Sequence, residues 1–390
     1  MRVLYLSSAF HAYIQYPTVK IEEEFHIKHF TYFFKDMIFY VRDKAWREHW
    51  STTGYSVKIP DTQYKFIHHY VLPRKILKWT VPHIMYFLIC RKIIKGEFDI
   101  IHAHGIYPSG LLARILSKKL GIPYIITEHG TEWYFNRPDE KEKKKIIKKM
   151  SDVVINAHTV IAVCERFADF LKSYWQNANI KTCHNSYNSD IFKPNKTHQE
   201  SSAPTVINLI AVGTFNPIKN HMLLLKAINI LKHTHPNIHL TIVGRGNLLD
   251  TYIKYIKDNK LDRLVTIKDF VPHDQLVNQY HNSHIFVSTS LKETFGIVLL
   301  EAMACGVPVV SSQTDGSSTI ITDGDCGLIF ENNVLEDLCQ KIQLLIDNPA
   351  KRNELIKHGF GRAKEYAHKY REVYQIYKNA IDENQNKGEN

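Results

Sequence analysis

The chain has 390 residues, of which 44% are hydrophobic and 23% charged, and its formal net charge is +11. This length favours two domains of roughly 150 to 200 residues each, and the composition, without repeats, is that of a soluble globular protein. Neither a signal peptide nor a membrane span is expected, because the N-terminus reads as a strand and the longest apolar run, at 81–90, is short and contains Pro82 and His83.

Short β-branched runs alternate with helical stretches along the first half of the chain. We predict strands at 2–6, 55–59, 98–103, 123–127, 152–155 and 159–163, and helices at 108–120, 139–151 and 165–176. This alternation is typical of parallel βαβ units in a doubly wound sheet. The tract 189–204 loses the periodicity and is interpreted as a linker.

A second αβ series follows the linker. We predict strands at 206–212, 238–243, 264–268, 284–287, 307–311 and 327–330, and helices at 217–233, 247–258, 296–305, 334–347 and 350–382. The expected fold is therefore α/β, with two Rossmann-like domains that face each other across a cleft and bind ligands beyond the carboxyl ends of their strands. The predicted divisions are 1–185, 186–365 and a C-terminal helix at 366–390.

The positive charge is unevenly distributed. Residues 1–185 contain 28 Lys and Arg against 17 Asp and Glu, whereas residues 186–390 contain 22 of each. A nucleic acid partner is not expected, because no DNA- or RNA-binding motif accompanies this charge. An anionic membrane surface, or an acceptor that carries phosphate, fits better, through the basic stretch 74–95 and the lysine run at 141–149. The lysine run also fits an ordinary solvated helix face.

The segment 290–310 is the most informative part of the sequence. It contains Glu293 and Glu301, eight positions apart, around a loop with Gly296 that runs into an apolar helix. On one ideal helix these residues would be separated by ~12 Å of rise and rotated by ~80°. This spacing suits a long polar ligand with a carboxylate near each end. The helix N-terminus would direct its N–H groups at anionic oxygens between them.

This segment, read as E-T-F-G-I-V-L-L-E-A-M-A-C-G-V-P-V-V, resembles the nucleotide-sugar signature of the family 4 glycosyltransferases, which are retaining enzymes of the GT-B fold. The resemblance implies a donor site in the second domain, and a last helix that crosses back onto the first. It also implies that Glu301 binds the ribose hydroxyls and that Glu293 binds the sugar hydroxyls. Lys219 and the amides of 295–298 would stabilise the leaving diphosphate.

Two βα turns of the second half fit this site. Gly213 allows a tight turn before Lys219, where the family has G-R-L-x-x-x-K-G, so Thr214 stands at the position of the family's arginine. Arg245, between Gly244 and Gly246, is expected to face the same ligand. The residues predicted to bind the donor are Gly213, Thr214, Lys219, Arg245, Glu293, Thr294, Phe295, Gly296, Ile297, Val298 and Glu301.

Histidines follow two strands of the first half. His129 matches the family's T-x-H, whose histidine reaches the sugar and the acceptor, so His129, Lys219 and Glu293 are the predicted catalytic residues. His102 and His104 share a strand face and could form a metal pair, but no third ligand has a suitable spacing. Asp323-Gly-Asp325 imitates a D-x-D metal site and is interpreted as a turn. No metal and no cofactor are expected.

The cysteines are not expected to carry chemistry. The chain has six cysteines, and none of them forms a C-x-x-C spacing with another. This indicates reduced core residues of a cytoplasmic protein. Cys164 stands where the family often has serine and is interpreted as a packed thiol.

The predicted function is transfer of a sugar, with retention, from a UDP- or GDP-sugar to a hydroxyl. The expected acceptor is a lipid-linked saccharide in surface polysaccharide or lipopolysaccharide assembly, at the inner face of the cytoplasmic membrane. A sugar phosphorylase or a nucleotide-sugar epimerase on the same fold stays open, as does a non-catalytic nucleotide-sugar sensor. Release of nucleoside diphosphate only in the presence of an acceptor would separate these alternatives.

Overall fold

The computed structural model describes residues 1–7, 17, 20–21, 23–25, 28–34, 65–67, 96–130, 139–194 and 206–388. The chain divides into two compact units. The first consists of Met1–His184 with Tyr370–Asn390, and the second of Asn185–Lys369. The predicted strand at 55–59 and the basic stretch 74–95 lie outside the described residues.

The first unit is built on a parallel sheet. Its seven described strands follow the order β3-β2-β1-β4-β5-β6-β7. They are β1 (Arg2–Ser7), β2 (Lys28–Phe34), β3 (Lys65–Ile67), β4 (Ile100–His104), β5 (Tyr124–Glu128), β6 (Thr159–Ala162) and β7 (Ile180–Thr182). Every residue of β4, β5 and β6 is buried, as expected of parallel strands covered on both faces.

Three described α-helices connect these strands, namely α1 (Leu111–Leu120), α2 (Glu140–Ile155) and α3 (Glu165–Tyr174). Helix α2 begins at the N-cap Asp139, whose side chain accepts a hydrogen bond from the N–H of Lys141. Ile146, Met150 and Val153 are buried at helical spacing. The predicted strand at 152–155 is therefore wrong, because this β-branched run forms the last turn of α2.

The second unit repeats the pattern, and its six described strands follow the order β10-β9-β8-β11-β12-β13. They are β8 (Ile207–Val212), β9 (Ile238–Val243), β10 (Val265–Lys268), β11 (Ile285–Ser288), β12 (Val309–Ser312) and β13 (Leu328–Phe330). Its helices are α4 (His221–Leu231), α5 (Leu249–Asp258), α6 (His273–His281), α7 (Ile297–Ala304), α8 (Asp315–Ile320), α9 (Leu335–Asp347) and α10 (Pro349–Tyr366).

The last helix, α11 (Tyr370–Gly388), belongs to the first unit. Ile376 and Tyr377 pack into the core of that unit with Val3 and Ile100. The single helix predicted at 350–382 is therefore wrong, since α10 and α11 are separate helices that belong to different units.

Both sheets follow the strand order of a doubly wound fold. In such a fold the first three strands are added toward one edge of the sheet, and the fourth strand is placed on the other side of the first. This change of side lies between β1 and β4 in the first unit and between β8 and β11 in the second. Ligands of such folds bind beyond the carboxyl ends of these strands. The prediction of two parallel-sheet α/β domains is confirmed.

Among the described residues, no helix has the length and apolar character that crossing a membrane requires.

Candidate functional site

Two loops meet at the carboxyl ends of β8 and β11. The loop 213–220 follows β8, and the loop 289–296 follows β11. The N–H of Leu291 donates to the carbonyl of Ile218 at 2.7 Å. The hydroxyl of Thr289 donates to the carbonyls of Lys219 and Asn220 at 3.0 and 3.1 Å. These bonds fix the two loops against each other.

Lys219 is held by its own loop. Its N–H donates to Asn216 Oδ1 at 3.0 Å, and its aliphatic stem lies 3.4 Å from the place of a Cβ at Gly213. Asn220 adopts a left-handed φ of 47° immediately before α4. Asn is one of the few residues other than glycine that adopt this conformation readily. The turn therefore directs the ammonium group of Lys219 away from α4 and toward the loop of β11.

The ammonium group of Lys219 forms an ion pair with Glu293. Lys219 Nζ lies 2.5 Å from Glu293 Oε2, and each side chain is about one-quarter exposed (25% and 23%). The structure thus brings together two of the residues that the sequence analysis selected, although 74 positions separate them. A partly buried cation and carboxylate offer both a phosphate ligand and an acceptor for hydroxyl groups.

Helix α7 begins next to this ion pair. Gly296 has a φ of 85°, and a Cβ there would lie 3.1 Å from Glu293 Cγ and from Leu299 Cδ1. Phe295 is buried and contacts the ring of Tyr366, and Thr294 and Ile297 are partly exposed. The first N–H groups of α7, which include those of Ile297 and Val298, have no acceptor within the helix. This end of α7 can therefore bind an anion.

Glu301 lies further along α7, and its side chain is buried. It accepts hydrogen bonds from His273 and Tyr280, both on α6. Of these two partners the sequence analysis selected neither, because α6 was not predicted.

Arg245 lies in a third loop, after β9. A Cβ at Gly244 would lie 1.9 Å from the carbonyl oxygen of Gly213, so only glycine allows these two loops to touch. Arg245 Nε lies 2.9 Å from Asp269 Oδ1, and its guanidinium stacks 4.9 Å from the ring centre of Phe270. Thr214 is exposed, and its hydroxyl accepts a hydrogen bond from Asn216. The loops of β8 and β9 thus form one continuous surface.

In the first unit, His129 follows β5 directly. Its Nε2 lies 2.8 Å from Nδ1 of His104, which is the last residue of β4. His102, on the same strand face as His104, instead contacts Tyr377 of α11 and Thr127 at 2.7 and 2.8 Å. The hydrogen bonds of the two histidines of β4 thus run to different partners, and His104 is paired with a predicted catalytic residue.

Glu128 is a functional candidate that the sequence analysis missed. Its carboxylate accepts hydrogen bonds from the backbone N–H groups of Ile106, His129 and Gly130 at 2.8, 3.0 and 3.3 Å. Burial raises the pKa of Glu128 from 4.5 to about 7, although these three N–H groups oppose the shift. An acidic residue inside the T-x-H motif was the available signal.

Similarity to known proteins decides the identity of the chain. Residues 193–362 match the family described as Glycosyl transferases group 1, and residues 42–190 match that described as Glycosyltransferase Family 4. The chain belongs to the family 4 glycosyltransferases. The family and the enzyme class predicted from the sequence are thereby confirmed.

Relatives of this glycosyltransferase agree with that assignment. D-inositol 3-phosphate glycosyltransferase of Arthrobacter sp. is 27% identical over 309 residues, which cover 73% of this chain and 72% of the relative. Sucrose-phosphate synthase of Thermosynechococcus elongatus has a TM-score of 0.78 at 18% identity, covering 98% and 100% of the two chains. The Anabaena protein HepE, in complex with UDP and glucose, has a TM-score of 0.71 at 18% identity, covering 98% of each chain. These similarities confirm the GT-B fold.

The aspartates that imitate a D-x-D metal site have structural partners in this glycosyltransferase. Asp323 accepts a hydrogen bond from the N–H of Ile329 at 2.7 Å, and Asp325 contacts His358 at 2.8 Å. Within the described part of the chain, no three His, Cys, Asp or Glu side chains are grouped to hold a metal ion. The five cysteines of that part, Cys164 among them, are buried.

The lysine run of the glycosyltransferase lies on α2. Lys143 is partly buried, lies 3.4 Å from Glu140 and approaches the ring of Tyr174 at 5.9 Å. The exposed lysines of this helix are Lys141, Lys144, Lys145, Lys148 and Lys149. The helix therefore presents a continuous basic face on the first unit.

Proposed function

We propose that this glycosyltransferase takes its sugar from a nucleotide diphosphate sugar and transfers it to a hydroxyl group with retention of anomeric configuration. The Lys219–Glu293 ion pair beside the N-terminus of α7 carries this proposal. HepE, which shares the fold, is in complex with UDP and glucose. A UDP-sugar is therefore the first donor to test, and a GDP-sugar the second.

In the proposed complex, the diphosphate lies between Lys219 and the first N–H groups of α7. Both carry positive charge or partial positive charge, so each stabilises the oxygen on which negative charge grows as the glycosidic bond breaks. Glu293 accepts hydrogen bonds from the sugar hydroxyls. Its contact with Lys219 links sugar recognition to the cation that stabilises the leaving group.

The remaining contacts bind the nucleoside. Glu301 accepts hydrogen bonds from the ribose hydroxyls, and the surface formed by Gly213, Thr214 and Arg245 borders the nucleotide. Phe295 and Thr294 stabilise the conformation of the loop that precedes α7. No divalent metal is required in this proposal, because Lys219 and the helix N-terminus supply the positive charge.

Retention is proposed to follow front-face attack. The acceptor oxygen bonds to the anomeric carbon on the face from which the diphosphate oxygen departs, and the acceptor proton passes to that leaving oxygen. No nucleophilic side chain is needed. His129 contributes by contacting the sugar and the acceptor, with Nδ1 of His104 bound to its Nε2.

Calorimetry with UDP and GDP, followed by turnover assays, tests the donor assignment. Glu301→Ala should weaken binding of the nucleotide sugar and of the free nucleoside diphosphate alike, since both contain ribose. Glu293→Ala should lower turnover and sugar discrimination more than nucleotide affinity. Unchanged nucleotide affinity in Glu301→Ala would contradict the ribose contact, and nucleotide release without an acceptor would contradict the transferase reaction.

We further propose that the acceptor is a lipid-linked saccharide at an anionic membrane surface. The exposed lysines of α2 carry this proposal, because each Lys near an anionic leaflet contributes about 1 kcal/mol of attraction within a Debye length. A patch of about four to six such residues suffices for reversible docking. The alternative outcome is a soluble acceptor with a phosphate group, as the name of the inositol 3-phosphate relatives suggests.

Sedimentation with liposomes separates these outcomes. Pelleting should require anionic lipid, disappear at high salt, and weaken when Lys144, Lys145, Lys148 and Lys149 are replaced by Glu. A matched control replaces four exposed helix lysines of the second unit, Lys226, Lys254, Lys257 and Lys357, by Glu. Equal loss of binding in both variants would contradict docking through α2. So would a wild-type protein that does not bind the liposomes.

A further inference from the structure

The carboxylate of Glu301 is bound on both oxygens by side chains of one neighbouring helix. His273 Nε2 lies 2.8 Å from Oε1, and the hydroxyl of Tyr280 donates to Oε2 at 3.1 Å. Two different donors on two different oxygens fix the plane of the carboxylate, which a single donor would leave free to rotate.

Both donors come from α6 (His273–His281). They are seven positions apart, or about two helical turns, and therefore lie on the same face of that helix. His273 is its first residue, so the contact lies near the carboxyl ends of the strands, where α6 follows β10. The ring of Phe192 packs edge-on against His273, with 4.7 Å between the ring centres, which orients the imidazole.

Burial makes these two bonds necessary. Glu301 is only 2% exposed and Tyr280 is fully buried, and a buried carboxylate is strongly unfavourable unless it is hydrogen-bonded. The side chain of His273 remains 32% exposed, so the contact reaches the protein surface at this point. Each carboxylate oxygen accepts more than one hydrogen bond. Both oxygens therefore keep the capacity to bind a hydroxyl of a ligand.

The charges around His273 favour its donating role. Burial disfavours the imidazolium, but the hydrogen bond to Glu301, together with the charges of Glu301 and Asp274, raises the pKa of His273 above its usual value. Burial and the charge of Glu301 raise the pKa of Tyr280 as well, so its phenol keeps the proton that it donates. Burial, and then the charge of Glu301, also raise the pKa of the Cys305 thiol.

We propose that His273 and Tyr280 are positioning residues that hold the Glu301 carboxylate in the orientation that recognises the two ribose hydroxyls of the donor. This inference rests on the ribose contact of Glu301 in the proposed function. It assigns to α6 the discrimination between ribonucleotides and deoxyribonucleotides.

The discriminating measurement compares UDP with 2′-deoxy-UDP by calorimetry, or GDP with its deoxy analogue if UDP does not bind. Loss of one hydrogen bond to a carboxylate weakens binding about tenfold, so wild type should prefer the ribonucleotide by about that factor. Glu301→Ala should bring the preference close to one. His273→Ala and Tyr280→Phe should each reduce it several-fold, mainly through weaker ribonucleotide binding.

Two further variants separate positioning from a general structural role. His273→Gln keeps an N–H donor on a side chain of similar reach and should restore most of the preference. His281→Ala removes a histidine of the same helix whose imidazole is hydrogen-bonded to the carbonyl of Lys193, and it should leave the preference unchanged. Thermal melting verifies that each variant is folded.

The outcomes distinguish the two proposals. If Glu301→Ala removes the preference and His273→Ala and Tyr280→Phe do not, positioning by α6 is overturned while the ribose contact stands. The same conclusion follows if these variants weaken both nucleotides equally, as a merely structural defect would. If Glu301→Ala itself leaves the preference unchanged, the ribose contact fails, and positioning fails with it.

Discussion

In the first unit the strands β4 and β5 end at His104 and Glu128, with His129 directly after. In the second unit the strands β8 and β11 lead into loops that carry Lys219 and Glu293. Both edges occupy the carboxyl side of a sheet with the same central strand order. The first edge carries two histidines and the buried carboxyl group of Glu128. The second edge carries the ammonium group of Lys219, two carboxylates and the N-terminus of α7.

This contrast shows that the shared fold supplies only the position of a site. The chemistry comes from loops whose sequences are unrelated in the two units. A helix N-terminus beside a lysine suits an anionic group, whereas adjacent histidines suit hydroxyl contacts and proton movement. We therefore expect substitutions in the second unit to affect the donor, and substitutions in the first to spare it.

The largest effect is expected at Lys219. Lys219→Ala should lower kcat by about 10² to 10³, because it removes a charge that stabilises the leaving diphosphate most strongly in the transition state. Nucleotide affinity should fall less. Steady-state kinetics and calorimetry measure the two quantities, and Lys226→Ala, an exposed lysine on α4, serves as the control.

The ion pair makes this prediction sharper. Because Lys219 and Glu293 are in contact, the double variant should lose less activity than the product of the two single losses. Strictly multiplicative losses would show that the two side chains act independently. An equal loss of kcat/KM and of nucleotide affinity in Lys219→Ala would indicate uniform binding of donor and transition state.

A smaller effect is expected at Glu128, and it concerns stability. Since the pKa of Glu128 is about 7 in the folded protein against an ordinary value of 4.5, the folded state holds this proton more tightly. The stabilisation is fully present below pH 4.5 and is lost as the pH rises to about 7. The shift corresponds to about 3 kcal/mol of unfolding free energy.

Urea unfolding of Glu128→Gln across this pH range provides the measurement. The variant should lack this contribution, so the difference from wild type should change between pH 4.5 and 7. Glu140→Gln, an exposed carboxylate of the same unit, is the control and should follow wild type. If the free energy of unfolding changes with pH in parallel for wild type and Glu128→Gln, folding does not raise the pKa of Glu128.

A still smaller effect is expected at His129. His129→Ala should lower kcat about tenfold, the loss typical of one hydrogen bond in the reacting complex. Its nucleotide affinity should equal that of wild type, because His129 lies in the first unit. His158→Ala, whose imidazole contacts Glu383 instead, is the matched control. Loss of nucleotide affinity in His129→Ala would contradict the proposal that the second unit alone binds the nucleotide.

No effect is expected from chelation. Turnover should survive EDTA, because Lys219 and the N–H groups of α7 supply the positive charge near the diphosphate. Activity that is abolished by EDTA and rescued by Mn²⁺, with dependence on Asp323 or Asp325, would contradict this prediction.

Much of the second unit could be predicted because its buried strands are short β-branched runs, such as β11 (Ile285–Ser288), bounded by loop residues. The loop that carries Glu293 and the helix that carries Glu301 could be predicted because Gly296 precedes the apolar run Ile297–Ala304. Helix α6 was not predicted, because His273–His281 is largely polar and carries few apolar side chains. Both partners of Glu301 were lost with it.

The Lys219–Glu293 contact could not be read from the sequence. It depends on β8 and β11 being neighbours, although β9 and β10 lie between them in the chain. Strand order is decided by tertiary packing, which a linear pattern does not report. Tertiary packing also decides the structure of the run at 152–155. Its residues favour a strand, but burial of one face of α2 stabilises the helix instead.

The position of α11 has a consequence for synthesis of the protein. Tyr370, Ile376 and Tyr377 complete the apolar core around Val3 and Ile100, yet they are translated only after all of Asn185–Lys369. On the ribosome, the first half of the chain must therefore emerge without its closing helix. We expect the second unit to become protease-resistant first in nascent chains of increasing length. The usual order, in which the amino-terminal domain finishes folding before the next one, is then reversed.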